Sequence, residues 1–138
     1  MTPATRALVA RALKLREARD RAALMGAQQE HAERLDLAVR LSDAMVRERA
    51  FAQEAAGDPR VAGAMFGAWR DGAEARLSAA RREAERAEAA CEPVRAVLTE
   101  TLRTAKGFET LMARGDAERA QREARRDPLL QLMLLPGR

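Results

Sequence analysis

The chain is poor in the side chains from which compact cores and covalent frameworks are built. Its 138 residues include no tyrosine, three phenylalanines, one tryptophan and one cysteine. A core packed as densely as an organic crystal needs more bulky side chains than these, and a single cysteine excludes an internal disulfide. The sequence also lacks a long apolar run and an apolar leader, so we expect no transmembrane helix and no secretory signal. A cytoplasmic location follows as the default expectation.

Residue patterns that carry catalysis are missing as well. His31 is the only histidine, and it has no second histidine or cysteine nearby with which to hold zinc or to activate a nucleophile. There is no glycine-rich phosphate loop, and the carboxylates lie among basic residues on mixed-charge stretches. We therefore expect no enzyme activity, no catalytic residue, no metal, no cofactor and no small-molecule substrate.

Alanine, arginine, glutamate and leucine dominate instead, a composition typical of long helices and coiled coils. Lys and Arg together number 25 against 21 Asp and Glu, which gives a net charge of +4. The two signs alternate along the chain, as in the run from Arg81 to Arg86, which indicates a solvated helix surface. Because nucleic-acid binders gather basic charge on one face, we do not expect a nucleic-acid partner.

Turn and cap signals divide the chain into two long helices. Thr2-Pro3 is a cap followed by a first-turn proline, and Gly57-Asp58-Pro59 combines a stop signal with a second start. The sequence predicts helix 1 at about 3–56, a turn at 57–59 and helix 2 at about 59–126. Pro93 is expected to kink helix 2 rather than end it.

Apolar residues spaced by three and four predict that the helices pair as a coiled coil. Helix 1 contains a first apolar series, and a second series with a shifted phase follows it at Leu35, Ala38, Leu41 and Met45. Helix 2 contains one apolar series. The first series is Leu8, Ala12, Leu15, Ala18, Ala22 and Met25, and that of helix 2 is Val94, Leu98, Thr101, Ala105, Phe108 and Met112. Pairing residues whose numbers sum to about 116 sets Phe108 against Leu8. The rival sum of about 128 sets Phe108 against Asp20. The predicted fold is all-α, a long antiparallel two-helix coiled-coil hairpin over residues 1–127 with a short apolar tail at 128–138.

Three features of the sequence are not required by a plain solvated hairpin and therefore suggest binding sites. Aromatic residues gather near the turn, where they either staple the hairpin shut or dock a partner. Basic residues gather at the open end, which favours an acidic partner. The apolar tail either binds a partner, folds back over Leu8 and Phe108, or lies at a membrane surface. The tail positions that we expect to bind are Leu129, Leu130, Leu132 and Met133.

The chain resembles the coiled-coil stalk proteins of bacterial flagellar and type III secretion export apparatus, the FliJ-like family. The similarity covers nearly the full length. It rests on size, on two long helices with a short turn, on Leu8-x6-Leu15-Arg16-Glu17 and on Lys106-x2-Glu109-x-Leu111 before an Arg/Glu-rich end. The resemblance implies a non-enzymatic stalk whose open end inserts into and stimulates a hexameric export ATPase. It also implies contacts with the export gate and chaperones, and a cytoplasmic location with peripheral attachment at the inner membrane through those partners.

Carried onto this sequence, the resemblance assigns two sets of partner-binding residues. The set facing the ATPase is Arg11, Arg16, Arg19, Arg114 and Arg119. The set facing the gate or chaperones is Leu41, Met45, Phe66 and Trp69. The alternative function is a coiled-coil adaptor or chaperone-like protein that binds a partner helix, with the apolar tail as its anchor.

Overall fold

The protein is an all-α helical hairpin. The computed structural model describes residues 1–134, apart from the side chains at positions 56, 59, 61, 62, 65, 66, 68, 129–131 and 134. Helix α1 spans Pro3–Ala56 and helix α2 spans Pro59–Leu134. The two helices run in opposite directions, because ion pairs join the start of α1 to the end of α2 and the later part of α1 to the earlier part of α2.

The helix ends follow from the cap signals in the sequence. Thr2 Oγ1 accepts a hydrogen bond from the Thr5 backbone N–H at 3.1 Å, which satisfies a free donor in the first turn of α1. Gly57 takes the left-handed conformation, with φ of 62°, and reverses the chain after α1. Asp58 then accepts a hydrogen bond from the Arg60 N–H at 2.9 Å and caps α2.

Helix α2 continues through two prolines. Pro93 does not end it, as the sequence predicts. The predicted end near residue 126 is too early, since the helix passes Asp127 and Pro128 and reaches Leu134. Both prolines have exposed side chains, so the ring and the carbonyl that loses its partner can face water. Around Pro128, the neighbouring arginines and leucines are strong helix formers, which favours continuation of the helix despite the lost hydrogen bond.

The chain divides into two compact units, which we name by position. The terminal unit comprises Met1–Glu17 and Thr99–Arg138, and the turn unit comprises Ala18–Leu98. Each unit contains a segment of α1 packed on a segment of α2.

In the turn unit, the inner faces of both helices are built from residues three and four positions apart. Seven of these sixteen side chains are alanine, which allows the two backbones to approach closely where they meet. Those of α1 are Asp20, Leu24, Ala27, His31, Ala38, Leu41, Met45 and Ala52, and those of α2 are Ala73, Leu77, Ala80, Ala84, Ala87, Cys91, Val94 and Leu98. Arg34 bonds Glu83 across the pair at 2.9 Å. Their residue numbers sum to 117, one away from the expected 116 and far from the rival 128.

The terminal unit continues the same spacing with larger side chains. Its inner face comprises Arg6, Ala10, Leu13 and Glu17 of α1 and Thr101, Ala105, Phe108 and Met112 of α2, all buried or half-buried. The later series predicted for helix 2, from Val94 to Met112, is therefore confirmed.

The first series predicted for α1 is wrong. Leu8 is 67% exposed, Leu15 64% and Met25 69%, and Leu35 of the second series is also exposed. Leu8 is accordingly not the residue against which Phe108 packs. The reason is that the buried and half-buried residues of α1 keep a single heptad phase from Arg6 to Met45, and Leu8, Leu15 and Met25 are out of phase with it.

Keeping one phase along α1 brings polar residues onto the inner face. Glu17, Asp20 and His31 lie on the inner face of α1, where the predicted series placed only apolar residues. Asp20 is only 6% exposed. A continuous helix meets its partner along one strip, and local apolar residues out of phase with that strip must face solvent.

Leu13→Ala and Leu15→Ala test this phase. Leu13 is half-buried on the inner face, so its truncation is expected to lower the free energy of unfolding by about 1–2 kcal/mol. Leu15 is exposed, and its truncation is expected to change the free energy of unfolding by less than about 0.5 kcal/mol. Urea unfolding followed by circular dichroism measures both changes. A larger loss of stability for Leu15→Ala than for Leu13→Ala would support the predicted first series of α1 instead.

Two glycine substitutions are expected to have opposite signs. Gly57→Ala places a Cβ at φ of 62° and is expected to destabilise the hairpin by about 1–2 kcal/mol. Gly26→Ala, within α1, adds a Cβ that meets no atom within 4 Å and is expected to stabilise it by about 0.5–1 kcal/mol. Thermal unfolding compares the two variants, and stabilisation by Gly57→Ala would contradict the turn geometry.

Candidate protein-binding site

A half-open groove of about 660 Å³ lies between the two helices of the terminal unit. Its apolar lining comes from inner-face residues, with Leu13 on α1 and Phe108 and Met112 on α2. Small residues beside them leave the space: Ala7, Ala10, Ala105 and Ala113. The heptad spacing thus brings large and small side chains together, and the small ones cannot fill the gap between the helices.

Charged side chains surround this apolar lining. Arg6 donates two hydrogen bonds to the Asp116 carboxylate, at 2.9 and 2.8 Å. Lys14, Glu109 and Arg119 line the same groove. The Arg6–Asp116 pair joins the two helices of the terminal unit at the groove.

The Arg6–Asp116 pair also sets the protonation of its two members. The hydrogen bonds from Arg6 hold the pKa of the Asp116 carboxyl below its usual value. Partial burial opposes this shift, and the positive charges of Arg6 and Arg119 add to it. The same bonds raise the pKa of Arg6. Both groups are therefore charged throughout the neutral pH range.

An apolar groove with a charged rim between two helices is suited to the apolar face of a third helix. Within residues 1–134, no group of three or more His, Cys, Asp or Glu side chains is placed to hold a metal ion. His31 is half-buried on the inner face of α1. Cys91 is buried on that of α2, where its thiol donates a hydrogen bond to the Ala87 carbonyl at 3.4 Å.

The five basic residues predicted to face an ATPase are all exposed. Arg119 lines the groove; Arg11, Arg16 and Arg114 belong to the terminal unit without lining the groove, and Arg19 belongs to the turn unit. Their role in binding stays a prediction. Sequence reasoning missed Leu13, Lys14 and Asp116 as groove residues. Continuing the phase of Ala38, Leu41 and Met45 backwards along helix 1 in steps of seven would have found Leu13.

The residues predicted to face the gate lie in the turn unit. Leu41 and Met45 are half-buried on the inner face of α1, and Trp69 is half-buried on α2. The side chain of Phe66 lies outside the described part. Their role in binding stays a prediction.

Of the four tail residues expected to bind a partner, the structure describes the side chains of two. Leu132 is 65% exposed and Met133 is 81% exposed at the end of α2, so these two side chains do not cover the hairpin. Leu129 and Leu130 lie outside the described side chains. Over residues 1–134, neither helix has a segment both long and apolar enough to cross a membrane.

Comparison with protein-family models, with curated proteins and with solved structures finds no match to this chain.

Arg6→Gln is expected to raise the pKa of Asp116 towards the ordinary aspartate value, because the carboxylate loses its hydrogen-bond donor. Carboxyl-carbon NMR over pH 2–7 measures the shift. A lowered pKa means that the pair stabilises the fold above the ordinary aspartate pKa, about 3.9. That contribution is lost as the pH falls through the folded-state value.

Arg11→Gln removes the same charge from an exposed site five residues away and serves as the control. It is expected to leave the Asp116 titration unchanged. Equal shifts in both variants would mean that overall charge, and not the Arg6 hydrogen bonds, sets this pKa.

Proposed function

We propose that the chain is a non-enzymatic stalk that couples an export ATPase to the membrane gate of a flagellar or type III protein-export apparatus. The observation that supports this most directly is the hairpin with a binding groove and exposed arginines in its terminal unit. The resemblance to FliJ-like proteins in size, helix arrangement and short motifs supplies the specific partner. The proposed location is the cytoplasm, with attachment to the inner membrane through those partners.

The proposed mechanism is a bias on the closure of the ATPase subunits. A hairpin of two unlike helices presents different side chains to each subunit of a surrounding ring. A ligand shifts a conformational equilibrium only through different interaction energies with its states. Exposed arginines such as Arg11 and Arg114 supply charged contacts, since a guanidinium binds carboxylates in a bidentate manner, and the groove supplies an apolar one.

The test is ATP turnover by the export ATPase of the same organism, measured with and without the purified chain. We expect the chain to raise turnover and Arg11→Glu with Arg119→Glu to abolish the increase, because both charges are reversed in the terminal unit. No increase with the unaltered chain would contradict the proposal.

The matched control is Arg47→Glu with Arg82→Glu, which makes the same change of charge at exposed positions of the turn unit. This variant is expected to stimulate the ATPase as the unaltered chain does. Helix content measured by circular dichroism verifies that both variants are folded. An equal loss in both variants would indicate a general effect of charge.

The exposure of Leu132 and Met133 favours a second candidate, an adaptor that binds a partner helix through its tail. Deletion of residues 128–138 separates the two functions in the same assay. Loss of binding to the export chaperones with ATPase stimulation intact would support the adaptor. If the deletion changes neither chaperone binding nor ATPase stimulation, the tail has no part in either function.

A further inference from the structure

The inner face of the turn unit is bordered by two flanks that differ in chemistry. The inner face of each helix is built from two heptad positions, called a (for example Ala38 and Ala84) and d (for example Leu41 and Ala80). Because the helices are antiparallel, the residues that immediately precede position a lie on one side of the hairpin, and those that immediately follow position d lie on the other. We call the first set the apolar flank: Ala23, Glu30, Leu37, Ala44 and Phe51 on α1, and Trp69, Arg76, Glu83, Ala90 and Val97 on α2. Seven of these ten residues are apolar.

The opposite set, the charged flank, is the natural comparison. Its members are Arg21, Gln28, Leu35, Ser42 and Arg49 on α1, and Gly67, Glu74, Arg81, Glu88 and Arg95 on α2. Leu35 is the single large apolar residue among the ten. An ordinary solvated hairpin would have polar residues on both flanks, so the difference requires an explanation.

The structure brings members of this flank from both helices to one groove of about 360 Å³. Its lining comprises Glu30, Glu83 and Ala90 of the flank, Arg34 and Arg86 beside them, and inner-face alanines. These alanines are Ala27 and Ala87. Their small side chains leave a concave surface between the two helices that can receive side chains from outside.

Large apolar side chains of the flank are open to solvent. Phe51 is 66% exposed, Val97 50% and Leu37 45%. Apolar residues at two core positions plus one flank, three in every seven, are typical of helices in bundles of more than two. The turn unit supplies only two of those helices.

The charges on this flank favour a copy of the chain over a partner of one charge sign. Arg34 lies beside the flank, 2.9 Å from Glu83 and 3.9 Å from Glu30. Arg76 of the flank and Arg86, which also lines the groove, bring the arginines to three beside the two glutamates. A surface that carries both signs can place the arginines of one copy against the glutamates of another.

The available area also fits a dimer. The 28 residue steps from Ala23 to Phe51 correspond to about 42 Å of helix at 1.5 Å per residue. Two helices side by side are about 18–20 Å wide. The product is about 800 Å² on each partner, which is the size of a standard stable interface.

We propose that a second copy of this chain packs on the apolar flank of the turn unit and forms a four-helix dimer. The dimer buries Leu37, Phe51 and Val97 and leaves the charged flank in water. The inference concerns the turn unit alone and does not depend on the proposed stalk function.

Sedimentation equilibrium of the full chain tests the proposal. At about 50 µM, we expect twice the monomer mass of 15.2 kDa. Leu37→Glu with Val97→Glu is expected to weaken self-association at least 100-fold, since four carboxylates would be buried in the interface. A monomer for the unaltered chain up to about 100 µM would overturn the proposal, and the flank would then be assigned to a foreign helix.

The matched control is Leu35→Glu with Val39→Glu. These residues are 49% and 50% exposed and lie off the apolar flank, so the control is expected to remain a dimer. Dissociation of the control to the same extent as the flank variant would also overturn the proposal, because the effect would not depend on the flank.

Disulfide trapping keeps the test decisive if the glutamate variants fail to fold. In a Cys91→Ser background, single cysteines replace Ala44 or Ala90 on the apolar flank, or Ser42 on the charged flank. Oxidation is expected to link two chains through the flank cysteines at least tenfold faster than through position 42. Equal rates would contradict a dimer built on the apolar flank.

Discussion

The packing of α1 on α2 depends on one spacing, the recurrence of inner-face residues every three or four positions along both helices. Isolated helices gain little stability from propensity alone, so each helix relies on burial against the other. Alanines such as Ala38, Ala80 and Ala84 bury little apolar area individually, but they allow close approach over a long strip. The strip is continuous only if each helix keeps one heptad phase.

That constraint determines which polar groups are buried. Asp20 is 6% exposed and Thr101 is fully buried, although neither would be chosen for a core by composition. In the described residues, no buried side-chain nitrogen or oxygen lacks a hydrogen-bond partner, so these positions avoid the penalty of an unsatisfied polar group. The same phase leaves Leu8 and Leu15 in water and opens a groove beside Phe108, where the surrounding side chains are small.

Several features could be predicted because they depend on residues close together in the chain. The turn at Gly57-Asp58-Pro59 and the cap at Thr2 require particular side chains at particular backbone positions. The series from Val94 to Met112 could be found because large apolar residues there coincide with the true phase. In the first half of α1 they do not: Leu8, Leu15 and Met25 form a plausible heptad of their own, and nothing local marks it as the exposed one.

The sequence by itself determined that this chain forms two long helices joined by a tight turn. Helix propensity, capping and glycine stereochemistry act within a few residues. Only the tertiary structure decided which face of α1 is buried, how far α2 continues beyond Pro128, and that Arg6 meets Asp116 beside an apolar groove. These outcomes depend on how a strip of side chains on α1 matches a strip on α2, and residues that meet can lie more than a hundred positions apart in the chain, as Arg6 and Asp116 do. The sequence of one helix read alone contains more than one apolar strip.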